Sequence, residues 1–392
     1  MFTSQFERVS IHDGFWFSGN RHGDRLWVAR EEKMSAPAVS PENLAKAKAI
    51  LDSHPSIDLH SHLGLWESKG LSDVPEPFAY IGDAKLRRNV EDMVAARCKC
   101  VSVNLTSDVP IFAHGKPGNK ARDYQGDEAW QEYQRQMSLL HGFFECMPLE
   151  PVTVPDDIEP TFAKGKLAVL LSTEGGHMVE DDLGRMEQLF RDGIRKFQPI
   201  HYVHTKLGDN QTDPPVFRGL SPLGKESVKE AVKLGMVVDA AHASFDATEQ
   251  MADAAGVPIV LSHTLMKYDS GRFGSYFENR PRWITKDHAS LVAQTGGVIG
   301  TWLMGDPLGA GSAEAFVEAV VKMVETIGID HVGWATDLID TGLGPWFHDY
   351  SEFPALCARF LDAGFSEEDL AKFVGGNALR VQRQAAASAE RK

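Results

Sequence analysis

Cysteine is scarce in this chain, with four in 392 residues, which excludes a disulfide-built scaffold. Cys98 and Cys100 stand too close for an easy mutual bridge and lack the matching second pair of a zinc knuckle. All four thiols, Cys146 and Cys357 included, are therefore expected to be reduced, in a cytoplasmic protein. Basic charge is also short: 40 Lys and Arg face 55 Asp and Glu, for a net charge of −15. Without a basic excess to replace phosphate counterions, nucleic acid is not an expected partner. No segment approaches the roughly 18 apolar residues that span a membrane. The N-terminus (Met1-Phe2-Thr3-Ser4-Gln5-Phe6-Glu7-Arg8) lacks the charged-then-apolar layout of a signal peptide, and the C-terminal Ala-rich tail lacks the apolar run of a lipid-anchor signal. No membrane partner is expected.

What is present is a long chain of ordinary globular composition, 43% apolar and 24% charged. Residues 1–45 read as a small N-terminal β-rich extension. Short β-prone pieces such as Phe15-Trp16-Phe17 and Leu26-Trp27-Val28 alternate there with turns at His12-Asp13-Gly14, Gly19-Asn20 and Gly23-Asp24. Ser40-Pro41-Glu42 then predicts a helix start: a serine cap, proline at the first helical position and an acid in the first turn.

Beyond that point strand and helix patterns alternate. Strands are predicted at 56–60, 100–105, 167–173, 195–200, 235–241, 257–262, 296–302 and 331–336. Helices are predicted at 182–192, 225–234, 247–255, 286–294 and 313–327. Eight such strands predict an α/β fold, a closed (β/α)8 TIM-type barrel over residues 46–385, followed by a flexible tail at 386–392. An open doubly wound sheet is the alternative, but it does not gather eight strand ends around one centre. Residues 106–165 form a predicted insertion with a helix at 127–144, and the loops 203–222 and 264–284 are expected to lie over the mouth.

The ends of the apolar runs carry the chemistry. In His60-Ser61-His62, alternation sends both imidazoles to one face, where they can share a cation. Glu174 ends Leu167-Ala168-Val169-Leu170-Leu171-Ser172-Thr173, where burial is costly unless the carboxylate meets a cation or a base. Gly175 and Gly176 follow it and leave room for close approach of a ligand or second cation; the alternative for Glu174 is a helix-start acid. His242 and His263 each close a strand, and singly each reads better as a hydrogen-bonded core histidine. Together, four histidines and a glutamate at strand ends match a two-metal hydrolytic site, with Zn²⁺ suited to imidazole and carboxylate. Two such ions lower the pKa of a bridging water toward about 7. Asp337 ends the last strand in an apolar setting, fit to pass a proton from attacking water to a leaving nitrogen, or alternatively to cap the next turn.

At these residues the chain resembles the membrane (renal) dipeptidase family of the amidohydrolase superfamily, over about residues 57–381. The resemblance is carried by Glu174-Gly175-Gly176-His177, Gly235-Met236-Val237-Val238-Asp239-Ala240-Ala241-His242-Ala243-Ser244, Ser262-His263-Thr264, Thr295-Gly296-Gly297-Val298-Ile299-Gly300 and Gly375-Gly376-Asn377-Ala378-Leu379-Arg380-Val381, in that order. It implies a binuclear zinc barrel that hydrolyses dipeptides, often with tolerance of a D-residue at the C-terminal position. In that frame His60 and His62 hold one zinc, Glu174 bridges, and His242 with His263 hold the other. Asp337 falls at the catalytic acid/base and His201 at the histidine that stabilises the oxyanion, with His204 as the competing choice. Arg282 falls at the arginine that grips the substrate carboxylate, with Arg280, Arg272 or a merely solvated loop arginine as alternatives. The family often forms homodimers, so a second copy is an expected partner beside the small-molecule or dipeptide substrate. One departure stands out: the family pattern at the first strand is His-x-Asp, and this chain has His60-Ser61-His62, which removes one negative charge.

The leading expectation is thus a zinc-dependent hydrolase, using a metal-bridged hydroxide to cleave the amide bond of a small substrate with a free carboxylate. A lactonase, deaminase or lyase on the same metal site is the alternative, since barrels host many reactions. A barrel kept only as a binding module is a third.

Overall fold

The computed structural model describes residues 39–72, 74, 79–113, 119–268, 282–304, 310–337 and 346–389. The N-terminal β pieces, Arg272, Arg280 and most of the loop 264–284 lie outside the described residues. Nine strands follow in order: β1 (Ile57–Ser61), β2 (Cys100–Thr106), β3 (Leu149–Pro151), β4 (Leu167–Glu174), β5 (Ile194–Phe197), β6 (Val237–Val238), β7 (Val260–Thr264), β8 (Val298–Trp302) and β9 (Val332–Ala335). β1-β2-β4-β5-β6 form one parallel ladder and β7-β8-β9 another. Two seams join them. At one, Asp239 bridges to Val260 and the Ala240 N–H donates to the Val260 carbonyl at 2.7 Å. At the other, the Asp337 N–H donates to the His60 carbonyl at 2.8 Å. The result is a closed parallel (β/α)8 barrel. Every residue of β1, β2 and β4 is buried, which is why these strands read as near-continuous apolar runs rather than as alternations.

The helices are α1 (Pro41–Ser53), α2 (Asp83–Ala95), α3 (Glu128–Cys146), α4 (Ile158–Ala163), α5 (Arg185–Arg191), α6 (Pro222–Leu234), α7 (Phe245–Ala255), α8 (Lys286–Gln294), α9 (Ala313–Ile327), α10 (Phe353–Asp362), α11 (Glu367–Ala371) and α12 (Asn377–Ala389). Short polar residues start many of them. Ser40, Ser221, Ser244, Thr285 and Ser312 each accept a backbone N–H three residues on, capping α1, α6, α7, α8 and α9. Among the described residues no helix is long and apolar enough to cross a membrane. All four cysteines are free thiols.

Three details depart from the sequence pattern. β3, inside the insertion, pairs with β4 beyond the barrel's own eight strands. β5 and β6 are shorter than their apolar runs because side chains replace ladder partners. The Gln198 N–H bonds the Thr173 hydroxyl (3.2 Å), Pro199 has no N–H to offer, and Asp239 Oδ1 accepts from Ala241 and Ser262 N–H, both at 3.0 Å. Finally, residues 386–389, expected in the tail, belong to α12. The helix continues because Gly235, at the end of α6, leaves room for it: a Cβ there would lie 2.9 Å from that of Ala389.

The barrel interior is charged below its mouth. Lys196 Nζ pairs with Asp239 Oδ2 at 3.1 Å and donates to the Leu59 carbonyl at 2.7 Å. Asp58 Oδ1 accepts from the N–H groups of His60 (3.1 Å) and Thr336 (3.0 Å). Its Oδ2 accepts from the hydroxyls of Thr336 (2.6 Å) and Tyr350 (2.5 Å). This one carboxylate stitches β1 to the end of β9.

Outside the barrel, His288 in the first turn of α8 is buried, its Nε2 2.8 Å from Thr248 Oγ1 on α7. Burial pushes its pKa down from 6.5 to about 4. Between those values the unfolded chain binds a proton that the folded chain refuses. This contribution to stability is therefore complete above pH 6.5 and is lost as pH falls toward 4. The His288→Gln variant should lose less stability on acidification than the parent, by up to about 3 kcal/mol. Urea unfolding at neutral pH and near pH 4 measures this; equal losses in the two proteins contradict it.

Candidate metal centre

Glu174, the last residue of β4, is 1% exposed and sits at the centre of the mouth. Its Oε1 lies 3.3 Å from His60 Nε2, 3.4 Å from His201 Nε2, 3.2 Å from His242 Nε2 and 3.6 Å from His263 Nε2. Its Oε2 lies 3.4 Å from His62 Nε2. Asp337 Oδ1 closes the ring at 3.1 Å from His62 Nε2 and 3.5 Å from His60 Nε2. Strand ends of β1, β4, β7 and β9, with the segment after β6, thus meet in one cup.

Local backbone supports the arrangement. His242 (φ 66) and Asp337 (φ 50) hold the left-handed conformation, which turns each side chain inward where strand geometry stops. Such conformations cost about 1 kcal/mol or more in a non-glycine residue and persist where packing over-determines them. Asp58 supplies that constraint at β1 and β9, two residues before His60 and across from Thr336, the neighbour of Asp337. The glycines after Glu174 have a different use from the expected one. A Cβ on Gly175 would lie 2.2 Å from Ser107 Oγ, and one on Gly176 would lie 2.4 Å from Leu207 Cδ1. They admit neighbouring protein rather than a ligand.

Electrostatics divides the histidines. Burial drives His242 and His263 well below the usual imidazole range, with Arg282 among the charges that reinforce it, so both are neutral. Burial also lowers His201 and His62, but Asp108 and Glu174 raise the first, and Glu67 and Asp337 raise the second, so the net direction is upward. Burial pushes the Glu174 carboxyl up, yet His201, His60 and His242 hold it well below the carboxylate range.

His201 lies beyond the end of β5, in the following loop, with Nδ1 2.7 Å from Asp108 Oδ1. A carboxylate only accepts, so Nδ1 carries the proton there. His204 turns elsewhere, its Nε2 3.7 Å from Asp213 Oδ2. Arg282 is buried; it donates to Gln211 Oε1 at 2.6 Å and faces the rings of Tyr202 and Trp302 at 5.8 and 5.4 Å.

The residues fit a pair of cations. Three sets have donor atoms within 4.8 Å of one another: His60, His62 and Glu174; Glu174, His242 and His263; and His60, His263 and Asp337. The buried atoms His60 Nε2 and Asp337 Oδ1 have no hydrogen-bond partner, a costly state that a cation relieves. The Nε2 atoms of the neutral His242 and His263 stand 2.9 Å apart, each with a nitrogen to offer. Imidazole and carboxylate together suit Zn²⁺ or a similar divalent ion. Asp337, expected only as a proton carrier, also lies within donor reach.

Two carboxylates behind the histidines escaped the sequence reading. Asp108 follows the apolar run of β2, and an acid just past a strand end was a readable signal. Glu67 sits in Leu65-Trp66-Glu67, where only an acid in an apolar stretch marked it.

The profile of the membrane dipeptidases (peptidase family M19) matches residues 44–392. Dipeptidase tcpJ of Claviceps purpurea (strain 20.1) is 28% identical over 261 residues, which span 64% of this chain and 59% of that protein. Dipeptidase verJ of Clonostachys rogersoniana is 25% identical over 358 residues, 89% of this chain and 88% of its own. In fold, the chain is similar to the probable dipeptidase PvdM from Pseudomonas aeruginosa, with a TM-score of 0.72 at 21% identity, covering 89% of this chain and 100% of that one.

Proposed function

Since the chain belongs to the membrane dipeptidase family, peptidase family M19, we propose that it is a zinc-dependent hydrolase cleaving the amide bond of dipeptides or similar small amides with a free carboxylate. One observation carries this reading: a buried glutamate shared by the Nε2 atoms of His60, His62, His242 and His263, with Asp337 beside it. In it, His60 and His62 would hold one ion and His242 with His263 a second, with Glu174 shared between the two sets. Bound ions would supply an acidified water and polarise the scissile carbonyl.

The chain's own groups do the rest. Asp337 Oδ1 takes the proton of the attacking water and returns it to the leaving nitrogen, so the amine departs neutral. His201, kept as the imidazolium by Asp108 on Nδ1, presents its Nε2–H as a fixed donor to the carbonyl oxygen as negative charge develops there. Arg282, desolvated between two rings, offers a planar fork to the substrate carboxylate. Four free thiols support a reducing compartment, and we place the enzyme in the cytoplasm.

A panel of L,L and L,D dipeptides, free and amide-capped at the C-terminus, tests the substrate class. Turnover of free dipeptides is expected. No turnover of any by fully metal-loaded protein overturns the reading in favour of lactone, deaminase or lyase chemistry. Asp337→Asn should keep the fold and bound metal yet lower kcat by about 10²–10⁴; near-parental kcat contradicts the proton-carrier role. Arg282→Ala should weaken free-carboxylate substrates far more than amide-capped ones. Equal losses on both remove the clamp.

A further inference from the structure

His62 Nδ1 lies 2.5 Å from Glu67 Oε1. Glu67 is 1% exposed, and its other oxygen, Oε2, has no hydrogen-bond partner. A buried carboxylate of this kind is costly unless its charge is used. The elements that hold it are extensive. Glu67 lies in the 3-10 turn Trp66–Ser68, directly after β1. Arg135 on α3 grips that turn by donating to the carbonyl of Lys69 at 2.8 Å and to that of Glu67. Arg135 is itself held by Glu132, and Gln136 ties the same helix to the Thr106 carbonyl at 2.9 Å. The Thr106 hydroxyl stands between the two carboxylates, 3.5 Å from Glu67 Oε1 and 3.3 Å from Glu174 Oε2. The insertion between β2 and β4 thus braces one acid behind one histidine.

We propose that Glu67 is a positioning residue that makes His62 a charge-bearing metal ligand. The inference rests on the reading that the cup binds metal. Because the carboxylate can only accept, it fixes the proton on Nδ1 and leaves the Nε2 lone pair facing Glu174 and Asp337. It also raises the basicity of that nitrogen. With the imidazoles neutral as ligands, the cup's own carboxylates, Glu174 and Asp337, would bring two negative charges to two dications. Glu67 delivers another through the ring of His62, without entering the cup.

Zn²⁺ titration of the metal-free protein against a competing chelator tests this. Parent protein should take two ions. Glu67→Gln, which keeps an acceptor but removes the charge, should weaken one of the two by about tenfold, and Glu67→Ala by up to about a hundredfold. The melting temperature of the metal-free Gln variant should stay close to that of the parent. In a His62→Asp background, where the ligand carries its own charge, adding Glu67→Gln should cost no affinity. Parental affinity at both positions in the Gln and Ala variants overturns the proposal. So does an equal loss in the His62→Asp background, which marks Glu67 as mere scaffold. If the parent binds no ion while remaining folded, it is the metal-centre reading that fails. Should Glu67→Ala not fold, the Gln variant and the double variant still decide.

Discussion

The carboxylate of Asp58 is the joint on which the molecule closes. It is fully buried, and burial pushes its pKa up against the hydrogen bonds it accepts from Thr336, Tyr350 and the backbone. Those bonds link the first barrel strand to the last. A parallel barrel has no hairpin at this seam to fix the register, so side chains must do it. Because Asp58 stands two residues before His60, and Thr336 stands next to Asp337, the contact that closes the barrel also sets the distance between two members of the cup. Fold and site share one constraint.

Above that joint the interior becomes more polar toward the mouth. The Lys196–Asp239 pair lies in the barrel, and Glu174 with its histidines lies above it. Buried ionic groups of this kind add little net stability and are retained where they specify position. Burial, reinforced by Arg282 and neighbouring histidines, keeps His242 and His263 neutral, while the anionic centre and the carboxylates behind His62 and His201 shift those two upward, and the ring of imidazoles holds Glu174 low. Left-handed backbone at His242 and Asp337 is the local strain that this ring imposes.

Much of this was legible in the residues, for definite reasons. Barrel strands buried on both faces must be apolar throughout, so β1, β2, β4, β7, β8 and β9 stood out as runs, and the Ser40 cap marked the start of α1. α8 and α9 fall on the residues read from the pattern, 286–294 and 313–327. Strand lengths at β5 and β6 were not legible, because a threonine and an aspartate side chain take over backbone hydrogen bonds there. Nor was β3, three residues long and inside an insertion. In the cup, residues at strand ends could be read because the fold itself sends them to one mouth. Glu67 and Asp108 could not be assigned partners, since their roles depend on which histidine ring turns its Nδ1 toward them. The use of Gly175 and Gly176 was misread for the same reason: what fills their space, Ser107 and Leu207, is far away in the chain.

The central claim is that these imidazoles and Glu174 clasp two cations. Anomalous diffraction at the zinc absorption edge, from crystals grown with Zn²⁺, measures it directly. The account predicts two peaks about 3.5–4 Å apart, one on each side of the Glu174 carboxylate. A single peak, or zinc bound elsewhere with the cup empty, would contradict it.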